Sequence, residues 1–273
     1  YRYYRPGDSL SIVSLQVYHL DSRTTTPLQT GSNINYYYPK IAWTADRNTL
    51  SVYKMNRKQD SLQILFCDIT TGSARSVYEE TSEAYVDKNL FGNNYYLSNG
   101  TQMILMHEQS GWRHLYLVDA LKGVIKHPIT SGEWVVREID SVDAVKREVW
   151  FRASGREPGE DPYNTHYYRI GLDGKNLVKL TPAEGNHTVS FSPDRKYYID
   201  TYSQPAVAPV TELRRTADGK LLLQLEQADI SELLATGLRL PEVFVAKGRD
   251  GKTDIWGVVC RPRHFDSTRR YPV

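Results

Sequence analysis

The chain has 273 residues, of which 40% are hydrophobic and 24% charged, and its 34 Lys and Arg nearly balance its 32 Asp and Glu. This length allows one large domain or two smaller ones. A net charge of +2 is too small to indicate a nucleic-acid or anionic membrane partner. The apolar runs are only a few residues long, so no membrane span is predicted.

The residue types that carry redox and metal chemistry are sparse. Cys67 and Cys260 lie far apart without a second cysteine nearby, and both are predicted to be small buried side chains. The seven histidines do not share metal-ligand spacing on one strand. We therefore predict no metal and no cofactor. The 20 tyrosines instead favour β structure, where aromatic side chains fit a half-buried sheet surface.

In chain order, the first residues are not those of a signal peptide, because no basic segment precedes an apolar one. A strand–turn–strand unit then recurs, with Asp or Asn in the turn at Asp46, Asn99, Asp143 and Asp194. A second hairpin follows each of these, with its turn at Gly72, Gly123, Gly174 and Gly219. Asp and Gly suit such turns because Asp bonds its own backbone and Gly accepts a positive φ.

Each period of about 50 residues thus holds four antiparallel strands, which is typical of a β-propeller blade. Four blades are predicted from about residue 35 to residue 226, and residues 11–29 look like the outer half of a fifth. The fold class is therefore all-β: a partial propeller of about four and a half four-stranded blades.

The repeat ends near residue 227, where we predict a domain boundary. Residues 228–237 (ADISELLATG) predict a short helix with Asp229 at its start and Gly237 at its end. A hairpin outside the blade register follows in residues 242–262. The predicted domains are 1–227, the partial propeller, and 228–273.

Several segments, in this order, resemble the dipeptidyl peptidase IV family of the prolyl oligopeptidase superfamily of serine peptidases. They include LFCDITTG (65–72), TSGEWVV (130–136), FSPDRKYYIDTYS (191–203) and HFDSTRRYPV (264–273). The resemblance implies an eight-bladed propeller that caps an α/β-hydrolase domain, with residues 228–273 as the linker helix and first strands of that domain. It also implies an exopeptidase that removes N-terminal dipeptides with Pro or Ala at the second position. Its partners would be peptide N-termini and the chain's own hydrolase domain, and its location periplasmic or secreted.

In this family a serine on a G-x-S-x-G turn is the nucleophile, and Asp and His follow it. The chain contains no G-x-S-x-G, so the triad is expected downstream of Val273, and the chain alone is predicted to be inactive. A partial propeller also leaves sheet edges uncovered, and a homodimer is one expected way to cover them.

The resemblance places the loop after the EAYVD segment beside the substrate. Its candidate substrate-binding residues are Tyr85, Val86, Asp87 and Asn89. This chain lacks the aromatic and arginine that family members carry nearby, so an ordinary loop between blades is the favoured alternative.

Val77-Tyr78-Glu79-Glu80 is similar to the family's glutamate pair, which binds the substrate's N-terminal ammonium. Its context is different, because Glu79 and Glu80 end a blade strand whereas the family's pair lies on a helical insertion. The opening residues resemble the segment after that insertion, so the true pair is expected upstream of residue 1. Glu79 and Glu80 remain a second interpretation of the amine anchor.

Three other functions stay open. One is a stand-alone propeller that serves as a protein-interaction or binding scaffold without peptidase activity. Another is a related tripeptidyl peptidase. The third is a family member that has lost its nucleophile, which would have the hydrolase fold without the serine. The sequence downstream of Val273 would separate the scaffold from the peptidases, since only a peptidase needs the G-x-S-x-G turn.

Residues 155–168 form a polar hairpin tip whose acidic residues are expected to be solvated.

Overall fold

The computed structural model describes residues 5, 7–9, 11–87, 94–97 and 100–272. Its elements are β1 (Gln16–His19), β2 (Thr24–Pro27), β3 (Tyr36–Trp43), β4 (Thr49–Asn56), β5 (Ser61–Asp68), β6 (Ala74–Thr81), β7 (Tyr95–Tyr96), β8 (Gln102–His107), β9 (His114–Asp119), β10 (Val124–Pro128), β11 (Val135–Asp143), β12 (Glu148–Ser154), β13 (Thr165–Gly171), β14 (Val178–Lys179), β15 (Asn186–Phe191), β16 (Tyr197–Gln204), β17 (Val207–Arg215), β18 (Leu221–Gln227), α1 (Ser231–Ala235), β19 (Glu242–Lys247) and β20 (Asp254–Val259).

The strands form sheets in chain order. Within the described residues, four sheets have four strands each, β3–β6, β7–β10, β11–β14 and β15–β18, and β1–β2 and β19–β20 are two-stranded hairpins. The prediction of a partial propeller is confirmed: the four larger sheets are its blades, and β1–β2 is the outer half of another.

The aspartate turns form for the reason predicted from their sequence. The Oδ1 atom of Asp46 accepts the backbone N–H of Asn48 at 3.0 Å, and Oδ1 of Asp194 accepts that of Lys196 at 3.1 Å. Asp143 Oδ1 accepts the N–H groups of Val145 and Lys146. These bonds replace backbone pairs that a tight turn cannot make. The corresponding turn at Asn99 lies outside the described residues.

The glycine turns connect neighbouring blades. Gly72, Gly123, Gly174 and Gly219 all have φ between 69° and 78°. Each turn also packs on the outer end of the preceding sheet. A Cβ on Gly123 would lie 3.3 Å from Val77 O, one on Gly174 would lie 3.3 Å from Ile129 O, and one on Gly219 would lie 3.1 Å from Leu180 O. Only glycine combines this backbone angle with such a close approach.

The chain divides into two compact units, each with its own core. Unit 1 comprises residues 1–131, 142–148 and 172–175, and unit 2 comprises residues 132–141, 149–171 and 176–273. The main core of unit 1 packs β4–β6 against β8 and β9 and includes Tyr53, Ile64 and Leu105. A core cluster of unit 2 includes Trp150, Tyr167, Leu180 and Tyr198. Six tyrosines are buried within the described residues, so part of the abundant tyrosine serves the cores.

Unit 2 contains a buried group of ionisable side chains on β15, β16 and β17. His187 Nδ1 lies 2.8 Å from Asp200 Oδ1, and both side chains are fully buried. Arg214 donates from Nε to Glu212 Oε2 at 2.8 Å and from Nη1 to Gly219 O at 2.7 Å. Arg214 Nε also lies 3.9 Å from Asp200 Oδ2. Mutual pairing is what makes this burial tolerable.

The acidic tip of residues 155–168 is not simply solvated, contrary to the expectation from sequence. Lys179 Nζ lies 3.1 Å from Glu157 Oε2 and 3.5 Å from Glu160 Oε1. The Tyr168 hydroxyl donates to Glu157, and His166 Nε2 lies 2.8 Å from Glu160 Oε2. The loop therefore folds back onto β13 and β14 through its own carboxylates.

Beyond β18 most side chains are exposed. Helix α1 is only five residues long, and its N-cap residue is Ile230, which makes no side-chain capping bond, so the predicted cap at Asp229 lies one residue too early. Asp229 Oδ1 nonetheless accepts the Ser231 N–H at 2.8 Å. Cys67 is buried, whereas Cys260 is exposed, so the predicted burial of Cys260 is wrong. Cys260 directly follows the hairpin β19–β20, a two-stranded sheet of its own whose residues are largely exposed. In the described residues, no helix has the length and apolar character needed to cross a bilayer.

Asp140 on β11 gives unit 2 a pH-dependent stability. Burial raises the pKa of its carboxyl to about 6, although the charge of Arg195 opposes the shift. The native carboxyl thus binds its proton more tightly than the unfolded one, whose pKa is about 3.9. The native state therefore gains stability as the pH falls from about 6 to about 4, and this gain is absent above pH 6.

We expect Asp140→Asn to lose that gain. The free energy of unfolding of the native protein should rise relative to the variant by about 1 kcal/mol between pH 7 and pH 4.5, after allowance for solvent screening of a partly exposed group. Denaturant unfolding of both proteins across this pH range measures the difference. A difference that is constant with pH would contradict the assignment.

Candidate functional site: an acidic pocket beside β6

Several of the predicted substrate-binding residues surround one cavity of about 510 Å³ in unit 1, here called the β6 pocket. Its walls are the end of β6, the loop that follows it, and the end of β8 with the turn beyond. The lining residues are Tyr78, Glu79, Glu80, Thr81, Ser82, Tyr85, Asp87, His107, Glu108 and Gln109. Four of the ten are carboxylates, so the pocket is suited to a positively charged group.

A β-bulge aims the side chains of β6. The register of β5 with β6 shifts between Ile64 and Leu65, which leaves Val77 without a partner residue. Val77 and Tyr78 are consequently both buried, and the alternation resumes after them. Glu80 then lies on the same side of the strand as Tyr78, towards the neighbouring sheet.

Glu79 and Glu80 leave the strand in different directions, as successive strand residues do. Glu79 Oε1 accepts a hydrogen bond from Gln63 Nε2 of β5 at 3.1 Å. Glu80 Oε2 instead lies 2.8 Å from His107 Nε2 of the next sheet. The two carboxylates therefore have separate partners and do not form a paired clamp on one ammonium.

His107 is buried beside the pocket, with 6% of its surface exposed. The backbone N–H of Gln109 donates to its Nδ1 at 2.9 Å. Its ring contacts Tyr78 and Tyr116 edge-on, with centroids 5.9 and 6.1 Å apart. Burial raises the pKa of the Tyr78 phenol well above its usual range, and the nearby charge of Glu80 adds to the shift, so Tyr78 stays neutral.

The loop after β6 is fixed by its backbone. The Ser82 N–H donates to Asp60 O and the Val86 N–H to Gln59 O, each at 2.8 Å. Ser82 Oγ accepts the N–H groups of Ala84 and Tyr85. The loop thus holds the Tyr85 ring, 51% exposed, at the pocket while it buries Val86 in the core.

The predicted site residues fall into three groups. The structure brings together Glu79, Glu80, Tyr85 and Asp87 around the β6 pocket. Val86 contributes its side chain to the core of unit 1. Asn89 lies outside the described residues. Among the described residues, no cluster of three His, Cys, Asp or Glu side chains could hold a metal ion.

Sequence reasoning missed His107 and Glu108. Glu108 lies at the rim, where its Oε1 is 3.5 Å from Arg113 Nε. His107 is separated by 27 positions from Glu80 and belongs to another blade, so no local pattern joins them. One sequence signal could have identified His107. It directly follows the apolar run QMILM, so it is expected to be buried, and a buried polar side chain needs a polar partner.

The four-stranded antiparallel sheets and their glycine turns define the class of the protein, which is a partial β-propeller. The model of the dipeptidyl peptidase IV N-terminal region matches residues 1–209. The chain therefore belongs to the dipeptidyl peptidase IV family.

Two relatives illustrate the similarity. Dipeptidyl peptidase 4 of Trichophyton rubrum is 27% identical over 268 residues, which cover 92% of this chain and 32% of the relative. The crystal structure of Porphyromonas gingivalis dipeptidyl peptidase 4 superimposes with a TM-score of 0.80 at 27% identity, covering 95% of this chain and 36% of that one. The chain thus spans about a third of the length of each relative.

Proposed function

We propose that the whole protein is a serine exopeptidase that removes N-terminal dipeptides with Pro or Ala at the second position. This chain would be its gating and substrate-positioning part. The observation that carries the proposal is the family match over residues 1–209, together with relatives of the same fold that are dipeptidyl peptidases. A propeller region of this kind acts by position, because binding groups on its loops orient a peptide towards a catalytic group elsewhere.

In this proposal the catalytic serine, aspartate and histidine belong to the hydrolase domain, which residues 228–273 begin. The absence of a G-x-S-x-G segment from the 273 residues is consistent with this division of labour. The proposed location is periplasmic or secreted, where short peptides are available as substrates. Cell fractionation with an antibody against this chain tests that location.

The β6 pocket would contribute a contact to the bound peptide. Its carboxylates and the half-exposed Tyr85 ring offer a negative charge beside an aromatic face. A positively charged group of a peptide is attracted by both. Because Glu79 and Glu80 point to different partners, the pocket would not itself replace the family's amine-binding glutamate pair.

The test is hydrolysis by the full-length protein of Gly-Pro-p-nitroanilide and Ala-Ala-Pro-p-nitroanilide. We expect release of p-nitroaniline from Gly-Pro-p-nitroanilide, loss of that activity with a serine-directed inhibitor, and no activity from residues 1–273 alone. Faster cleavage of Ala-Ala-Pro-p-nitroanilide would favour a tripeptidyl peptidase instead. A full-length protein inactive on both would contradict the proposal.

A further inference from the structure

We propose that His107 is a positioning residue for substrate binding: it holds the Glu80 carboxylate in one orientation so that its second oxygen faces the bound peptide. The inference rests on the proposed function, since it assumes that the β6 pocket contacts the substrate. In this arrangement a buried histidine on one blade sets the geometry of a carboxylate on the blade before it.

The first step concerns the proton on the imidazole ring. The Gln109 backbone N–H can only donate, so His107 Nδ1 must accept this 2.9 Å bond with its lone pair. The ring hydrogen of this tautomer is therefore on Nε2. That nitrogen lies 2.8 Å from Glu80 Oε2, although the direction of its N–H group does not make this contact a hydrogen bond. The two groups therefore meet as a short electrostatic contact between a donor nitrogen and a carboxylate oxygen.

The second step concerns rigidity. Nε2 of His107 and Oε2 of Glu80 are both buried without a hydrogen-bond partner, and the ring contacts Tyr78 and Tyr116 edge-on. The ring cannot turn without breaking the Gln109 bond and displacing a tyrosine. Glu80, at the end of an outer strand, thus faces a donor that is itself fixed by packing. A group supported in this way loses little conformational entropy when a ligand binds.

The third step separates the two oxygens of Glu80. Oε2 faces His107 and is buried, whereas the residue as a whole lines the cavity. Oε1 is then the oxygen available to the peptide. Glu79 has no comparable support, because its partner Gln63 is a flexible side chain in an exposed contact. Removal of His107 should therefore weaken binding through Glu80 and leave the chemistry untouched.

The experiment compares His107→Gln, His107→Phe and Glu80→Gln in the full-length protein. A double variant that combines His107→Phe with Glu80→Gln completes a cycle. Glutamine keeps an amide N–H that can reach Glu80 and an oxygen that can accept the Gln109 N–H. Phenylalanine keeps a ring of similar shape and loses both nitrogen atoms.

We expect His107→Phe to raise KM for Gly-Pro-p-nitroanilide about tenfold, with kcat unchanged within about twofold. Glu80→Gln should have a similar effect, because it weakens the same contact with the peptide. The double variant should be no worse than the worse single one, since the two residues act through one interaction. His107→Gln should lie near the native protein.

A merely structural role predicts a different result. If His107→Phe lowers the melting temperature but leaves KM unchanged, or if the effects of the two single substitutions on KM multiply in the double variant, the inference is wrong. If His107→Phe fails to fold, His107→Asn takes its place, because asparagine is too short to reach Glu80. The comparison is then between His107→Asn and His107→Gln. An active native enzyme with an unchanged KM in these variants overturns only this inference, whereas an inactive native enzyme overturns the proposed function as well.

Discussion

Asp200→Asn should lower the melting temperature of the protein by roughly 10 °C, which corresponds to a loss of about 3–5 kcal/mol. Asp200 is fully buried and faces His187 at 2.8 Å and Arg214 at 3.9 Å. Asparagine keeps the shape of the side chain but removes the negative charge, so the buried Arg214 loses part of its compensation and His187 loses a carboxylate partner. Thermal unfolding followed by circular dichroism measures the shift.

The matched control is Asp218→Asn in the turn between β17 and β18 of the same sheet. Asp218 also pairs with an arginine, at 2.6 Å from Arg215, but about half of each side chain is exposed. Water and salt screen such a pair, so the melting temperature should stay within about 2 °C of the native value. Equal shifts in the two variants would show that burial does not govern the effect.

Gly72→Ala should be the most disruptive single substitution at a junction between blades. The alanine Cβ would overlap the Pro27 carbonyl oxygen, a backbone atom that cannot move away without shifting β2. Gly72 O also accepts the Gln29 N–H at 2.8 Å, so the turn is in addition hydrogen-bonded to the segment that follows β2. We expect a loss of stability of about 3 kcal/mol. Hydrogen exchange at the Gln29 amide should be accelerated by at least about a hundredfold.

The variant Gly111→Ala is the control that distinguishes the steric overlap with Pro27 from the backbone strain of an alanine at positive φ. Gly111 has φ +85°, close to the +73° of Gly72, but a Cβ there would meet no atom within 4 Å. This variant should lose only the cost of an alanine at positive φ, about 1 kcal/mol. If both variants lose the same stability, the contact with Pro27 is not what requires glycine.

The fold could be predicted from the sequence because its signals are local and repeated. Asp143 specifies a turn because its side chain accepts the N–H of Val145, and Gly123 because it adopts a positive φ. The spacing of such turns sets the number of strands in a blade. The exposure of Cys260 could not be predicted in this way. Burial depends on what packs against a strand, and the hairpin that precedes Cys260 reads from its sequence like a core hairpin.

The candidate site was predicted only in part, for a similar physical reason. The resemblance pointed to the loop of Tyr85 and Asp87. The direction of the Glu80 side chain, however, depends on the β-bulge at Val77, which no pattern in the sequence predicts. Likewise, Asp200 reads as one polar residue of a strand, and its partner Arg214 is not adjacent in sequence. A carboxylate in the middle of a strand is nonetheless a signal to search for a buried cation.

The packing of the glycine turns predicts the order in which the blades unfold under mechanical force. Each turn rests on the last strand of the blade before it, as Gly123 does on Val77 and Gly219 on Leu180. Coupling of this kind joins nearest neighbours and is expected to be additive along the series. Under a steady pull on the chain ends we therefore expect the blades to release one after another, in steps of about fifty residues. A weakened junction such as that of Gly72→Ala should be the first to give way.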